Sequence, residues 1–252
     1  DGADDKITAW AWIKNRDSSD SHIFVDRVRG VGQTINADDF SIEATEVNTV
    51  QRFLQRGVQI SNDVQVNTVN ESYVLWQWLV GTSAGTGTTT SPAGALASTS
   101  IAATPGHFSV GTYTGTGSAT TVGHGLGGIP EMIIIKNRSS GSTSTADWVV
   151  GASTRGSDFT DYGHLDTTGS FGDLNTKWND TDPTANVFTI GTHNRVNKAS
   201  DNYVFYAFRS VPGVCSVGSY EGNNNADGTF VNLGFKPAWV MTKTIDATGA
   251  WG

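Results

Sequence analysis

Short apolar stretches alternate with clusters of Gly, Ser, Thr, Asn and Asp along the chain, and this alternation predicts strands joined by turns. Residues 132–135 and 203–208 are apolar at consecutive positions, so both faces of each predicted strand are apolar. In a two-layer sandwich, one face of each strand normally meets water. We therefore expect central strands whose second face is covered by a loop, a neighbouring module or another subunit.

One segment has a loose helical pattern. Residues 44–55 place Val47, Val50, Phe53 and Leu54 at i, i+3, i+6 and i+7, which predicts a short helix. A strand or a surface insertion is the alternative for this segment.

The apolar pattern repeats at long intervals. The strand "AWAWIKNR" at 9–16 returns as "EMIIIKNR" at 131–138 and as "AWVMTKTI" at 238–245. Its lysines are Lys14, Lys136 and Lys243, the second 122 residues after the first and the third 107 after the second. "SVGTYTG" at 109–115 also matches "SVGSYEG" at 216–222, and "VNTVNESYVLWQW" matches "VNKASDNYVFYAF". Several ordered matches predict repeated modules.

The repeats divide the chain into four segments. We predict module 1 at residues 1–80, without its opening strand, and a Gly/Thr/Ser/Ala linker at 81–106. A complete module 2 follows at 107–212, and the start of module 3 at 213–252. We interpret the chain as a section of a longer polypeptide. The alternatives are that incomplete modules join between head-to-tail chains or close within one chain.

Composition supports an all-β fold and excludes several classes of function. Many aromatic and turn-forming residues with few charges indicate an all-β protein of tandem sandwich modules. The net charge of −8 argues against nucleic acid, whose phosphates need clustered Lys and Arg. No apolar run reaches the roughly 20 residues of a membrane span, so we expect no membrane insertion. With Cys215 as the one cysteine, there is no intrachain disulfide framework.

The search for catalytic motifs finds none that is convincing, and we expect no enzyme. The sequence lacks GxSxG, HExxH and the P-loop, and its five histidines lack the spacing of metal ligands. His124 lies in a Gly-rich turn, where we expect it to bind the backbone or face water. Asp161 and Asp166 form a carboxylate pair of the kind that glycosidases use, but no other feature supports that chemistry. The recurring Lys-Asn-Arg motif ends a strand in each copy, which favours a structural role.

The segment "GDLNTKWNDTDPTAN" at 172–186 is the candidate site. Most of the eight tryptophans lie at repeated strand positions, which favours core packing, whereas Trp178 has no equivalent in the repeats. We therefore expect an exposed, ligand-binding Trp178 beside Asp180 and Asp182. The oxygen-rich side chains Asp173, Asn175, Asp180 and Asp182 are candidate calcium ligands, although the segment lacks the glycine and final glutamate of an EF-hand. A solvated loop without a cofactor is the preferred interpretation.

Three stretches resemble a module of structural proteins of tailed, especially marine, phages: "WIKNRDSSDSHIFVDRVRG", "VN…ESYVLWQW" and "LGGIPEMIIIKNR". The phage pattern joins an "LGF.P" turn, here at 233–237, to a "D..RG" motif and a closing aromatic strand, here at 203–208. Asp26, Arg29 and Gly30 carry the "D..RG" motif in the first copy. The second copy departs from the pattern because it has no acidic residue before Arg155.

The resemblance implies a fold and a function. It implies jelly-roll or concanavalin-like β-sandwich modules in a virion protein outside the cell, as a tail fibre, a head fibre or a capsid-decorating protein. Expected partners are other virion proteins and copies of the chain, in a trimer or an array, and a cell-surface glycan. A carbohydrate-binding adhesin is the alternative function.

Overall fold

The computed structural model describes residues 6–82, 89–91, 94–103, 106–141, 146–153 and 159–252, and it confirms an all-β fold built of antiparallel sheets. The helices in these residues are single turns. The strands are β1 Lys6–Asn15, β2 Ile23–Asp26, β3 Gln33–Asn36, β4 Ala44–Thr45, β5 Val50–Leu54, β6 Gly57–Ile60, β7 Tyr73–Thr82, β8 Thr89–Ser91, β9 Ser98–Ala102, β10 Phe108–Thr114, β11 Thr120–Gly123, β12 Met132–Asn137, β13 Val149–Ala152, β14 Asp161–His164, β15 Gly172–Asp173, β16 Val187–Ile190 and β17 Asn202–Phe208, and the helices are α1 Val64–Asn67, α2 Asn175–Trp178 and α3 Asn194–Asn197.

Two large sheets and two hairpin-sized sheets organise these strands. The first large sheet has the order β4-β3-β2-β1-β7, and the second has the order β15-β14-β13-β12-β17-β10-β9-β8. Strand β11 pairs with β16, and β5 pairs with β6. The five-stranded sheet thus comes from the first third of the chain and the eight-stranded sheet from the rest.

The two large sheets pack face to face around one aromatic core. Trp10 lies at its centre, with ring centroids 3.9 Å from Trp78 in its own sheet and 4.6 Å from Tyr206 in the other. Phe24 adds an edge-to-face contact at 5.2 Å to Trp148, which immediately precedes β13 of the eight-stranded sheet. Since each buried aromatic side chain removes on the order of 150–250 Å² from water, this cluster is a principal source of stability.

Both large sheets are also covered on their outer faces. Ile13 and Ile23 pack beneath the β5–β6 hairpin and α1, through Val50 and Val66. On the eight-stranded sheet, one set of β12 and β17 side chains packs in the shared core, and the alternate set packs beneath β11, β16, α2 and α3. The prediction that residues 132–135 and 203–208 are covered on both faces is confirmed.

The predicted linker contributes to the eight-stranded sheet. Within residues 81–106, β8 and β9 extend that sheet beyond β10, and Ile101 and Ala103 enter the shared core. The second half of the predicted linker is therefore part of the folded sandwich rather than a connection between modules. Ser98 and Ser100 of β9 are buried.

The predicted helix at 44–55 is also wrong. The segment holds β4 and β5, and the β5–β6 hairpin covers the outer face of the five-stranded sheet. Val50 alone of the four pattern residues is fully buried, while Val47 is 65% exposed. The loose helical spacing therefore did not correspond to one buried face.

Residues 213–252 lack the strands that the third copy of the pattern predicts. Outside a bridge between Val211 and Cys215, this segment has no ladder partner. From Leu233 to Ile245 its side chains nevertheless alternate between half-buried and exposed. Trp239 of this segment packs against Trp12 and Trp78 at the edge of the sandwich, so apolar contact takes the place of ladder pairing.

The asparagines of the two Lys-Asn-Arg motifs make corresponding hydrogen bonds. Nδ2 of Asn15 donates to the Tyr73 hydroxyl, and Nδ2 of Asn137 donates to the Tyr203 hydroxyl, each at 3.1 Å. Each tyrosine hydroxyl in turn donates to a carbonyl of the one-turn helix before its strand. The structural role predicted for the motif is confirmed at these asparagines. The division into modules stays a prediction, since the two large sheets share one core.

The lysines of the pattern bind backbone carbonyls. Nζ of Lys14 donates to the carbonyls of Ser18 and Asp20, and Nζ of the buried Lys136 donates to the carbonyl of Ala146. Because an ammonium group donates three hydrogen bonds, it can close the loop that follows the strand.

Candidate binding cavity

A cavity of roughly 530 Å³ lies at one edge of the sandwich, and we call it the tryptophan cavity. Four indole side chains line it: Trp12 of β1, Trp76 of β7, and Trp239 and Trp251 of the segment at 213–252. The volume falls within the range of about 300–1,000 Å³ that is typical of small-molecule sites.

The register of β1 and β7 positions the first wall. Trp12 pairs with Trp76, and Trp10 pairs with Trp78, so the period of two along a strand places all four side chains on one face. Trp10 and Trp78 pack against the eight-stranded sheet. Trp12 and Trp76, with ring centroids 5.3 Å apart and planes at 65°, line the cavity instead.

The second wall comes from the segment at 213–252. Hydrogen bonds attach this segment to the end of β14 and to the loop that follows it. Nε1 of Trp251 donates to the carbonyl of His164 at 2.7 Å, and the backbone N–H of Gly249 donates to the carbonyl of Thr168 at 2.8 Å. Trp239 contacts Trp12 at 6.0 Å and Trp78 at 5.4 Å between ring centroids. The four indoles are thus held by both sheets and by backbone bonds.

Polar groups complete the lining. Nε1 of Trp12 donates to Nδ1 of His22 at 2.8 Å, and burial lowers the pKa of His22, so its neutral form accepts this bond. Asp38, Asp166 and Thr167 also line the cavity. Indole faces beside a few carboxylates and hydroxyls are the chemistry of a ligand-binding site.

Burial raises the pKa of Asp166 to about 7, and the neighbouring Asp147 adds to the shift. Its carboxylate accepts the backbone N–H of Trp148 at 3.2 Å. Near neutral pH this side chain therefore exists in both forms, and its protonated form can donate as well as accept a hydrogen bond. Asp161, the other member of the sequence pair, lies in β14 opposite Asp173.

Further charged side chains are buried or partly buried in β12 and in the helices that cover the outer face of the eight-stranded sheet. Burial lowers the pKa of Lys136 to about 8 and that of Lys177 to about 7. Arg195 pairs with Asp147 at 2.5 Å, and Nζ of Lys177 lies 3.1 Å from Nδ1 of His193. Lys136 binds a backbone carbonyl and Lys177 binds His193, so the lowered pKa values of these two lysines accompany structural contacts.

The predicted exposed aromatic is buried. Trp178 is 1% exposed and packs edge-to-face on Phe159 at 5.1 Å, beneath the outer face of the eight-stranded sheet. The prediction of a solvent-facing Trp178 is wrong, because α2 turns the indole inward and a sugar cannot reach its faces. Asp182 accepts the backbone N–H of Phe159 at 3.1 Å, and Asp180 is exposed at positive φ.

The calcium prediction receives no support. Asp173, Asn175, Asp180 and Asp182 are all exposed. In the described part of the chain, no three His, Cys, Asp or Glu side chains are grouped so that they could hold a metal ion.

The structure tests the expectation for His124. His124 is fully buried and binds the backbone, since its Nδ1 accepts the N–H of Leu126 and its Nε2 lies 3.1 Å from the carbonyl of Thr184. That expectation is confirmed. Arg155, the equivalent of Arg29 in the second copy, lies outside the described residues.

The "D..RG" motif forms a buried network between the sheets. Nε of Arg29 donates to Asp26 at 2.5 Å, and the Tyr206 hydroxyl of the eight-stranded sheet donates to the same carboxylate at 2.9 Å. Glu43 pairs with Arg29 at 3.2 Å and with Arg138 at 2.7 Å. Burial opposes the charge of Arg29, but Asp26, Tyr206 and Glu43 outweigh it and raise its pKa. The motif therefore joins the two sheets.

The sequence could not identify the tryptophan cavity. Trp10 and Trp12 share one face of one strand, yet only Trp10 is fully buried. Which of them is covered depends on where the second sheet ends, and no local pattern contains that information.

Comparison with known proteins gives one match. No curated protein and no solved structure matches the chain. Among the described residues, no helix has the length and apolar character to cross a membrane. The family described as a domain of unknown function, DUF7483, has a model that matches residues 6–252, and the chain belongs to this family.

Proposed function

We propose that this chain is a non-enzymatic structural protein of a phage virion, built into a tail fibre or another surface fibre outside the cell. The observation that carries the proposal is the join between the two large sheets through one aromatic core and the buried network of Asp26, Arg29 and Tyr206. The resemblance to phage modules supports the assignment to a virion.

A fibre has to be rigid, and this chain has no disulfide bond to make it so. Cys215 is free, so resistance to unfolding has to come from packing and buried hydrogen bonds. Buried charge networks are costly to break, because removing one partner leaves an unpaired charge. An array of units joined in this way suits a fibre that bears load outside a cell.

The same argument extends to assembly. Exposed apolar side chains in residues 213–252, including Phe230 at 86% exposure and Tyr220 at 54%, give a surface for contact with copies of the chain or with other virion proteins. A homo-oligomer, either a trimer or an array, is therefore part of the proposal.

Location in the particle tests this function. Density-gradient-purified particles are analysed by mass spectrometry and labelled with gold-conjugated antibody against the chain. We expect peptides of the chain in the particles and gold on fibres. Gold on the head surface would replace the fibre by a head fibre or a capsid-decorating protein. Absence of the chain from purified particles, despite its presence in infected-cell lysate, would contradict the proposal.

A carbohydrate-binding adhesin is the second candidate, and the tryptophan cavity favours it. Four indoles with neighbouring carboxylates and hydroxyls provide a site that a purely structural role does not require. The two functions are compatible, since a fibre module can carry a receptor site for a cell-surface glycan.

A further inference from the structure

We propose that the tryptophan cavity binds a neutral saccharide, with the indoles of Trp76 and Trp239 stacking on sugar rings. This inference deepens the adhesin candidate and names its site and ligand class. It moves the binding function from the loop around Trp178 to the opposite side of the eight-stranded sheet.

The tryptophan side chains of the cavity are held in place before any ligand binds. Trp12 is fixed by its hydrogen bond to His22 and by its edge-to-face contact with Phe24 at 4.8 Å. Trp76 is held against Trp12 by the β1–β7 register. Rings that are already ordered lose little conformational entropy when a ligand binds. The cavity therefore needs no rearrangement to present flat apolar surfaces.

The second step is the match to a sugar. A pyranose ring has an apolar C–H face and a rim of hydroxyl groups, so it suits a site with aromatic faces and polar groups at their edges. Trp76 and Trp239 supply aromatic surface, and Asp38, Asp166 and Thr167 supply carboxylates and a hydroxyl. Hydrogen bonds from sugar hydroxyls to carboxylates are charge-assisted and therefore among the stronger ones.

The third step is charge. The described residues that line the cavity include Asp38 and Asp166 but no lysine or arginine. Together with the net charge of −8, this lining disfavours phosphorylated or acidic sugars. An alkylammonium ion would suit the indoles and carboxylates. However, it would leave Thr167 and Thr168 without a ligand partner and would fill little of the roughly 530 Å³.

The experiment is isothermal titration calorimetry on the whole chain. The probes are maltotriose, cellotriose and tri-N-acetylchitotriose, with choline chloride as the cationic comparison. We expect at least one trisaccharide to bind saturably. Trp239→Ala and Trp76→Phe remove or shrink a stacking surface, and we expect Trp239→Ala to weaken binding about tenfold or more, which corresponds to about 1.4 kcal/mol. Trp239 lies outside the sheets, so we expect this variant to retain both sheets, and far-UV circular dichroism checks this before the titration.

The matched control is Phe230→Ala, which removes an exposed aromatic side chain of the same segment away from the cavity. We expect it to bind like the unchanged chain. The proposal is overturned if choline is the only probe that binds or if no probe binds. It is also overturned if the folded Trp239→Ala variant binds the trisaccharide as tightly as the unchanged chain does. None of these results bears on the presence of the chain in virions, which particle labelling decides separately.

Discussion

Buried charged residues in this protein form bonds between segments far apart in sequence. Arg29 has no exposed side-chain surface, yet it pairs with Asp26 and Glu43 and donates to the Phe24 carbonyl. Desolvation of a lone guanidinium would be prohibitive, so the network is stable only when complete. The Tyr206 hydroxyl makes the eight-stranded sheet a necessary part of it.

Asp26→Ala tests the network at this scale. It leaves Arg29 partly unpaired in the interior, and we expect the free energy of unfolding to fall by about 3–5 kcal/mol. Tyr206→Phe removes one hydrogen bond to a charged group, for an expected loss of about 1–3 kcal/mol. Tyr220→Phe, at a residue that is 54% exposed, is the control and should leave the free energy of unfolding unchanged. Urea unfolding measures all three, and a control-sized effect for Asp26→Ala would refute the account.

Asp166→Asn tests the perturbed carboxyl by its pH dependence. The folded pKa of about 7 lies above the ordinary value of 3.8, so the native state binds more protons between these values. The stability that this group contributes is complete below about pH 4 and is lost as pH rises through 7. The asparagine variant lacks this loss. We therefore expect its unfolding free energy, relative to the unchanged chain, to rise from pH 4 to pH 7 and then level off.

That comparison uses urea midpoints of both proteins at the same pH values, which cancels the titration of other groups. If the difference in unfolding free energy between the Asp166→Asn variant and the unchanged chain stays constant from pH 4 to pH 8, the pKa of Asp166 is not raised.

The strands show which parts of the structure a sequence specifies. The consecutive apolar residues of β12 and β17 predicted cover on both faces, because every side chain of a strand faces one side or the other. The helix predicted at 44–55 and the strand predicted at 238–245 are wrong, whereas the strand alternative for 44–55 is confirmed by β4 and β5. Whether an apolar segment becomes a strand depends on a ladder partner, and its own sequence does not supply one.

Gly111 of β10 gives a prediction at the element scale. A Cβ there would lie 2.4 Å from the ring of Phe205 and 2.8 Å from the Thr99 carbonyl, so the strand accommodates its neighbours only without a side chain. We expect Gly111→Ala to lower the free energy of unfolding by about 1–3 kcal/mol through overpacking.

The repeat supplies a matched control for this change. Gly218 occupies the equivalent position in "SVGSYEG", and a Cβ there would meet nothing within 4 Å. Gly218→Ala should leave the urea midpoint unchanged or raise it slightly. Equal losses for the two variants would mean that the Phe205 contact does not limit the packing of β10.

At the scale of the whole molecule, the repeats identified segments that share a pattern, but neither how many of them form strands nor how the strands are arranged. Trp10 and Trp148, which come from different repeats, lie in the same core. Sequence similarity between segments gives no distance between them, so the face-to-face arrangement could not be derived. The tryptophan cavity escaped prediction for the same reason, since its walls come from four separated parts of the chain, at residues 12–38, 76, 165–168 and 238–252.

The central claim is that the two large sheets form one cooperative unit through their common core, and equilibrium unfolding in urea tests it most directly. Tryptophan fluorescence reports on the aromatic core, and far-UV circular dichroism reports on the strands of both sheets. We predict a single transition with the same midpoint by both probes, because neither sheet can expose its side of the core alone. Two separated transitions, with one sheet retained while the other unfolds, would contradict the account.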